Sequence, residues 1–531
     1  MATPSAEFDL IVIGGGINGV AIARDGALRG LSVLLLEKDD FGGGTSSYSS
    51  RLIHGGLRYL EYAEFPLVFE SLHERRRLLR LAPHLVKQLC ISIPVYKHSK
   101  RGMWLVRLGM FLYGMLSIGK SVPRHRILNR KSTIKVIPGL NSDNLVGGAQ
   151  YFDAQVTFAE RLVIENVIGA VEAGAVVKNY SPVIGMNVKN GLLRSIHYVD
   201  HASGNEVEVS GTVVVNAAGP WVDHVLATLN RELPQCMGGT KGSHIVVPVF
   251  KGAPESAVYA EAGSDNRPFF IIPWNKQFLI GTTDIRYSGD PDDAKASNAE
   301  VDYLLTETNR LFPQANLTRS DIHFAYAGVR PLPKHESGPE SAITRKHIIK
   351  KHRILARGLV SIIGGKLTTY RSLAEQTVDY ANKKNGMKGS DCVTRRKLLP
   401  GAIDLQAART RIEKFTVLSP QGKERLLGIY GGRCTELLQI AAAESKMAQV
   451  LDAAKTILAA EICFAFRQEY AVTLIDVVYR RMMLGLTANQ GVDLVEQLAD
   501  IAAACLDWSD TERRRQVEDL RQYSSGFQVK A

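Results

Sequence analysis

The sequence has no C-x-x-C. Its six cysteines are Cys90, Cys236, Cys392, Cys434, Cys463 and Cys505, and the closest two, Cys434 and Cys463, stand 29 residues apart. A zinc ribbon or a clustered iron–sulfur motif is excluded, and no metal is expected. Thiols scattered in this way predict free cysteines in a reducing compartment. Long apolar runs are also missing. A spanning helix needs about eighteen or more consecutive apolar residues, and none occurs, so none is expected. The first strand begins near Phe8, and no secretory or transit segment is expected before it. Fixed-period repeats and low-complexity tracts are absent. Acid is absent from one long window: between Arg75 and Ser142 there is no Asp or Glu, against fifteen Lys and Arg. The whole chain carries +12, so the remainder carries −3. A basic region of this kind suits a polyanion, either nucleic acid or anionic lipid headgroups.

What is present suits a globular chain of two or three domains: 531 residues, 45% hydrophobic and 22% charged. "FDLIVI" (Phe8 to Ile13) is a short apolar run of the buried parallel-strand type. It leads into Gly14-Gly15-Gly16-Ile17-Asn18-Gly19 and then a helix with Ala23, Ala27 and Gly30 on its inner face. A second strand, "LSVLLLE", ends at Glu37. This is G-x-G-x-x-G in the context of a dinucleotide site, with an acid about twenty residues on. The glycines permit a tight turn and close approach of backbone to a pyrophosphate, which the helix N-terminus would hold. Glu37 would accept a ribose 2′-OH.

Two later segments favour a flavin over a nicotinamide. "GTVVVNAAGPW" (Gly211 to Trp221) reads as a strand ending in small residues at a ligand edge. "LVSIIGGKLTTY" (Leu359 to Tyr370) reads as a strand, a Gly-Gly turn and a helix start at Thr368 or Thr369. That helix end could stabilise a reduced, anionic ring. No second G-x-G-x-x-G exists, so the organic substrate itself would supply the electrons. Thr45, Ser46, Ser47, Ser49 and Ser50 form a hydroxyl cluster suited to a pyrophosphate and ribitol chain. "RGMWLVRLGMFLYGMLSIGK" (Arg101 to Lys120) is apolar with basic ends and is interrupted by Arg107. It is short for a span and suited to lying in a headgroup plane. The other reading is a core helix whose charged ends reach water.

"DLIVIGGGINGVAIARDGALRGLSVLLLEKDD", "GTSSYSSRLIHGGLRYLE", "KGSHIVVP", "IPWNKQFLIGTTD", "GVRPL", "AITR" and "GGKLTTYR" resemble, in order, the motifs of FAD-dependent glycerol-3-phosphate dehydrogenases. The likeness spans residues 8 to 375, with a looser one in the helical tail. It implies an α/β fold: a Rossmann-type FAD domain, an inserted mixed β-sheet substrate domain as in D-amino-acid oxidases, and a C-terminal all-helical domain. The segments expected are 1–90, 151–225 and 346–385 for the FAD domain, 91–150 for a basic, amphipathic segment that faces the membrane and belongs to the substrate domain, 226–345 for the substrate-binding domain, and 395–531 for the helices. The implied reaction is oxidation of sn-glycerol 3-phosphate to dihydroxyacetone phosphate, with electrons passed to a membrane quinone, ubiquinone. The implied setting is a homodimer held monotopically against the anionic cytoplasmic face of the inner membrane, binding no nucleic acid.

The FAD-contacting set expected is Gly14, Gly16, Ile17, Asn18, Gly19, Glu37, Lys38, Thr45, Ser46, Ser47, Ser50, His54, Gly55, Val183, Ala218, Gly219, Trp221, Gly364, Gly365, Lys366, Leu367, Thr368 and Thr369. A phosphate ester calls for a cationic cradle, and arginine suits it through its planar fork. The resemblance assigns substrate binding to Arg58, Tyr59, His244, Arg330, Arg345 and Lys366. Oxidising a secondary alcohol needs a base titrating near neutrality. His54, His244 and Lys366 are the candidates, with Arg330 beside them in the catalytic set. Two sister readings, an oxidase that uses oxygen and a subunit of an anaerobic complex, lack the expected insertion and the cysteine-rich extension. From a different class, a flavin-dependent RNA-modifying protein would use the basic window, but interleaved stacking aromatics are missing.

Overall fold

The structure is a computed structural model, and it describes residues 7–117, 122–231, 233–334, 343–386 and 391–530, the side chain of Arg58 excepted. The first sheet runs in the order Ile348–Lys351, Leu359–Ile363, Glu206–Asn216, Glu7–Ile13, Val33–Leu36, Val176–Lys178. Its central strands are parallel, with Ile11 beside both Val214 and Leu34, while the Ile348–Lys351 edge and the hairpin Val183–Lys189, Leu192–Val199, joined through Glu206–Asn216, are antiparallel. "FDLIVI" does not alternate because both faces of the sheet are covered. Helices Ile17–Leu28, Ala159–Val171 and Tyr370–Lys384 pack on one face, and Met186, Ile196 and Leu226 belong to the cluster on the other. Gly26 lets the first helix approach the sheet, since a Cβ there would lie 2.9 Å from Leu10 Cδ2. Gly30 departs from expectation. It lies exposed beyond the helix C-cap at φ +85° and ends the helix rather than lining its inner face.

The second sheet has ten strands and is mixed. Thr240–Val247 lies between Gln277–Gly281 and Phe324–Arg330, antiparallel to both, while Val86–Tyr96 and Ala257–Glu261 run parallel. The boundaries expected at 90 and 150 fall inside Val86–Tyr96 and Leu145–Val156, two strands of this sheet paired along their length. Leu52–Ile53 adds to the same sheet.

From Leu405–Glu413 to Asp510–Ser525 the chain is helical. Buried ion pairs weld it to the first sheet. Asp40 accepts from Arg480 and from both terminal nitrogens, Nη1 and Nη2, of Arg481, and Glu469 accepts from Arg161 at 2.6 and 2.8 Å. Removing one partner of such a pair leaves a charge stranded, at a cost of about 3–5 kcal/mol. The thiols depart in part from expectation. Cys90, Cys236, Cys392 and Cys434 are free, but helices Ala460–Gln468 and Val495–Leu506 pack so that the sulfurs of Cys463 and Cys505 bond, with Cα atoms 6.0 Å apart. Sequence separation concealed a contact made by tertiary packing. Among the described residues no helix is long and apolar enough to cross a membrane.

Candidate FAD and substrate site

Strands Glu7–Ile13, Val33–Leu36, Glu206–Asn216 and Leu359–Ile363 all end at one edge of the first sheet, and a cavity of about 970 Å³ opens there. The crevice outside the carboxyl ends of parallel strands is where this architecture binds ligands. Of the expected cofactor set, Gly14, Gly16, Ile17, Asn18, Glu37, Lys38, Thr45, Ser46, Val183, Ala218, Gly219, Trp221, Gly364, Gly365, Lys366 and Leu367 line it.

The three motif glycines differ in what they make room for. Gly14 sits at φ +108°, and a Cβ there would be 2.8 Å from the Ala217 backbone. A Cβ on Gly19 would lie 1.8 Å from the Gly14 carbonyl oxygen. Gly16 is different, because a Cβ there would meet only Ser46 Oγ, at 3.4 Å. The protein itself therefore needs Gly14 and Gly19, while the bareness of Gly16 is left for a ligand. Ile17 N–H donates to Ser46 Oγ at 3.0 Å, fixing that hydroxyl at the helix N-terminus.

Glu37 accepts from Gly15 N at 2.5 Å and from Asp39 N at 2.9 Å. Desolvation pushes its carboxyl up to about 7, against the pull of those two donors. It faces the cavity as expected for a ribose acceptor, with each oxygen already holding one backbone N–H. Lys38 Nζ pairs with Asp292 at 2.7 Å and lies 4.8 Å from the Trp221 ring centre. Thr45 Oγ1 donates to Val329 O at 2.7 Å, joining the two sheets at the cavity wall. Asn18 Oδ1 and Trp221 Nε1 are buried on this wall with no hydrogen-bond partner among the described residues. A bound flavin nucleotide, rich in donors and acceptors, fits a cavity that holds such orphans.

The remaining members of the set stand behind the wall. Gly19 packs against Gly14. Ser47 Oγ donates to Gly42 O at 2.6 Å and closes the loop. Ser50 Oγ lies 2.8 Å from His244 Nε2. His54 is clasped through its backbone to Thr368 Oγ1, at 3.1 Å from its N and 3.3 Å from its O. Gly55 N–H donates to Tyr113 Oη and Asp153 Oδ1 at 3.1 and 3.2 Å. Thr368 and Thr369 are buried, and Thr369 is the N-cap of Tyr370–Lys384.

Among the described residues of the expected substrate set, only Lys366 lines the cavity; Tyr59, His244, Arg330 and Arg345 lie outside its lining. Gly56, at φ +78°, turns the chain into the short helix Leu57–Tyr62. Arg58 is in this helix, and its side chain lies outside the described residues. Lys366 Nζ sits 4.4 Å from the Tyr59 ring centre and donates to Ser71 Oγ at 3.0 Å. Desolvation draws its ammonium down to about 7, although Asp153, Glu70 and Glu64 oppose this. His54 and His244 are drawn lower still, each to about 3, by desolvation first and then by neighbouring cations. Both imidazoles are therefore neutral at pH 7 and poor at holding a proton.

Arg330 ends its strand donating to Thr240 Oγ1 (3.2 Å), Thr282 Oγ1 (3.0 Å), Thr283 O (3.1 Å) and Asp284 Oδ1 (3.0 Å). Arg345 reaches the other oxygen of Asp284 at 3.3 Å. The sequence reading missed Asp284, though it stands at the end of "IPWNKQFLIGTTD", because an acid is the wrong sign for a phosphate site. It also missed Gln522, Tyr523 and Gly526 to Lys530, which line the cavity and are tied to the second sheet by Ala325 N donating to Phe527 O at 2.8 Å. No pattern in the tail announced that.

Residues 9–371 match the FAD dependent oxidoreductase family, and residues 392–513 match the C-terminal domain of alpha-glycerophosphate oxidase. The chain is 44% identical to a glycerol-3-phosphate dehydrogenase of Synechocystis, over 98% of this chain and 96% of that one. It is 37% identical to a D-erythritol 1-phosphate dehydrogenase of Brucella abortus, over 93% and 98%. The structure of glycerol-3-phosphate dehydrogenase from Bacillus halodurans complexed with FAD superposes with TM-score 0.81 at 28% identity, over 98% of this chain and 95% of that one. Fold, cavity and kinship place the molecule among FAD-dependent oxidoreductases. Within that class the chain belongs to the glycerol-3-phosphate dehydrogenase family, with FAD as its cofactor.

Proposed function

We propose that the protein oxidises sn-glycerol 3-phosphate to dihydroxyacetone phosphate and passes the electrons to a membrane quinone, ubiquinone, as a homodimer. The observation that supports the substrate reading is a chain of contacts: Arg330 and Arg345 share Asp284, and Arg345 acts electrostatically on Lys366, which lines the nucleotide cavity. Arg330 and Arg345 would hold the phosphate through charge-assisted bonds. Lys366, poised near neutrality, would take the C2 hydroxyl proton as its neutral amine. FAD, when bound, supplies the two-electron acceptor for the C2 hydride. Asn18, Ser46, Glu37 and the Gly16 backbone would hold its nucleotide, and Gly364 and Gly365 would bring backbone close to its ring. The neutral His244, fixed by Ser50 and stacked on Tyr326 with ring centres 4.9 Å apart, would orient substrate rather than carry the proton.

The Brucella relative acts on a four-carbon polyol phosphate, so substrate length is a fair test. Anaerobic addition of sn-glycerol 3-phosphate to the purified holoenzyme is expected to bleach the visible flavin absorbance, and faster than D-erythritol 1-phosphate does. No bleaching by the triol phosphate would refute the assignment. Comparing reoxidation by a quinone analogue and by oxygen then separates dehydrogenase from oxidase.

Helix Met103–Leu116 supports the membrane part. Val106, Met110 and Tyr113 face inward, and Tyr113 Oη meets Asp153 at 2.9 Å beside Gly55. Trp104, Phe111 and Met115 stand 74%, 58% and 54% exposed, with Leu105 and Leu108 beside them. Arg107, Arg124, Arg126, Arg130 and Lys131 are exposed nearby in sequence, while Lys120 lies outside the described residues. An apolar face with cationic surroundings suits the surface of an anionic bilayer, each Lys or Arg adding about 1 kcal/mol. A Trp104→Ser, Phe111→Ser double variant is expected to bind anionic vesicles at least tenfold more weakly, about 1.4 kcal/mol or more. Its turnover with a soluble acceptor should be unchanged. Equal flotation of variant and wild type would count against this orientation.

A further inference from the structure

We propose that Asp153 is a positioning residue for Lys366: one buried carboxylate ties together the two elements that seat the lysine amine, the Gly55-Gly56 turn that leads to Tyr59 and the helix that bears Ser71. This rests on the reading of Lys366 as the proton acceptor. Asp153 stands in strand Leu145–Val156 of the second sheet, wholly buried and paired with Leu89. Donors from three elements converge on its carboxylate. Gly55 N–H donates to Oδ1 at 3.2 Å. Tyr113 Oη, from helix Met103–Leu116, lies 2.9 Å from both oxygens. Arg75 Nη1, from helix Phe65–Leu81, pairs with Oδ1 and also donates to Phe152 O at 3.1 Å.

Two of these arms continue to the lysine. Arg75 and Ser71 stand four residues apart on one buried helix face, and Ser71 Oγ accepts from Lys366 Nζ at 3.0 Å. Gly55 leads into Gly56, where a Cβ would lie 3.4 Å from Lys366 Nζ. Gly56 O accepts from Tyr59 N at 2.9 Å, and the Tyr59 ring centre lies 4.4 Å from the same lysine nitrogen. The turn has no slack, since a Cβ on Gly55 would lie 2.3 Å from Tyr113 Oη. Asp153 thus acts on the lysine through its partners, and also through its charge. Desolvation pushes the Asp153 carboxyl up, against Arg75, Tyr113 and the Gly55 N–H. A guanidinium and two further donors keep it ionised at neutral pH. At Lys366, burial disfavours the ammonium, Asp153, Glu70 and Glu64 favour it, and Arg345 acts with burial. His54, which feels both Lys366 and Arg75, is neutral, and Tyr59 and Tyr113 complete the titratable surroundings.

The test follows kcat/KM for glycerol 3-phosphate against pH in the FAD-loaded enzyme with a soluble acceptor. Asp153→Asn keeps the shape and removes the charge. The limb that rises through about 7 in wild type is expected to move about one pH unit lower, because Asp153 favours the ammonium and its loss frees the amine sooner. The plateau should fall about tenfold or more, since an amine loosened from its seat is misplaced for the substrate hydroxyl. In the Lys366→Met background Asp153→Asn should lower kcat/KM little further, because the two act as one unit. A limb that stays in place or moves to higher pH would overturn the proposal whatever the loss of activity, since a carboxylate that only supports the fold does not move the titration of the lysine. A full further loss in the Lys366→Met background would overturn it as well. If Asp153→Asn does not retain FAD, Asp153→Asn with Arg75→Met also removes the stranded guanidinium and reads the same limb. A Lys366→Met enzyme that keeps the wild-type limb refutes the reading of the base, and one that loses it while Asp153→Asn leaves the limb in place refutes only this inference.

Discussion

Lys366→Met is expected to lower kcat/KM by about two to three orders of magnitude, the usual weight of a positioned proton acceptor, while FAD stays bound. The substitution keeps length and bulk and removes the amine. What makes the effect large is position: the ammonium lies over the Tyr59 ring within reach of Ser71, and desolvation has brought it down to about 7. Wild-type kcat/KM should rise with pH through about 7 and level off as the amine loses its proton, and Lys366→Met should lose that limb. The same group leaves a mark on stability. A lysine lowered in the fold binds its proton less tightly than in the unfolded chain, so the unfolded state holds more protons between about 7 and the unfolded lysine value, and stability rises with pH across that window. Below about 7 the cost of the buried charge is fully present. Lys366→Met should therefore be the more stable protein at about pH 6, with the difference shrinking toward about pH 10. Denaturant unfolding at the two pH values measures it. A pH profile unchanged in Lys366→Met, with a larger loss in His244→Gln, would move the base to His244.

Local backbone constraints were the part of the site most legible in the sequence. "FDLIVI", the glycine turn and Glu37 lie within one βαβ unit, so spacing alone placed them together, and all three meet at the cavity. The Gly-Gly turn before Lys366 was legible for the same reason. Arg330 and Arg345 were a different matter. Arg330 depends on strand order in the second sheet and Arg345 stands just ahead of the edge strand Ile348–Lys351 of the first, neither of which periodicity specifies, and both entered only through resemblance. His54 shows the limit: its backbone is clasped to Thr368, and no periodicity in the sequence announces that contact. Gly30 was read into the helix, which ends at Leu28, because glycine serves both close packing and helix termination. Asp284 and the Gln522–Lys530 segment lay beyond any local rule. One is an acid paired with Arg330 and Arg345, and the other reaches the cavity only after the helical domain has folded back.

Gly16→Ala and Gly19→Ala are expected to fail in different ways, though both change one hydrogen to a methyl in the same motif. At Gly19 the new Cβ would stand 1.8 Å from the Gly14 carbonyl oxygen, a backbone atom that cannot rotate away. Either the first turn of helix Ile17–Leu28 or the end of strand Glu7–Ile13 must shift. The strand is the centre of the first sheet, paired on both sides. Overpacking of this kind costs about 1–3 kcal/mol or more, so Gly19→Ala should unfold at lower temperature even without FAD. At Gly16 the protein offers space, with Ser46 Oγ at 3.4 Å as the sole neighbour, so apoprotein stability should stay within about 0.5 kcal/mol of wild type. The methyl would instead stand where backbone must approach the nucleotide pyrophosphate. Gly16→Ala should therefore purify folded but with little flavin, its dissociation constant for FAD raised about a hundredfold or more, roughly 3 kcal/mol. Flavin absorbance relative to protein, and thermal unfolding with and without added FAD, separate the two outcomes. Adding FAD should raise the unfolding temperature of wild type strongly and that of Gly16→Ala very little, since a ligand stabilises only in proportion to its binding. A Gly16→Ala protein that keeps its flavin would mean the pyrophosphate does not lie against this turn, and the cavity would have to hold the nucleotide elsewhere along its wall.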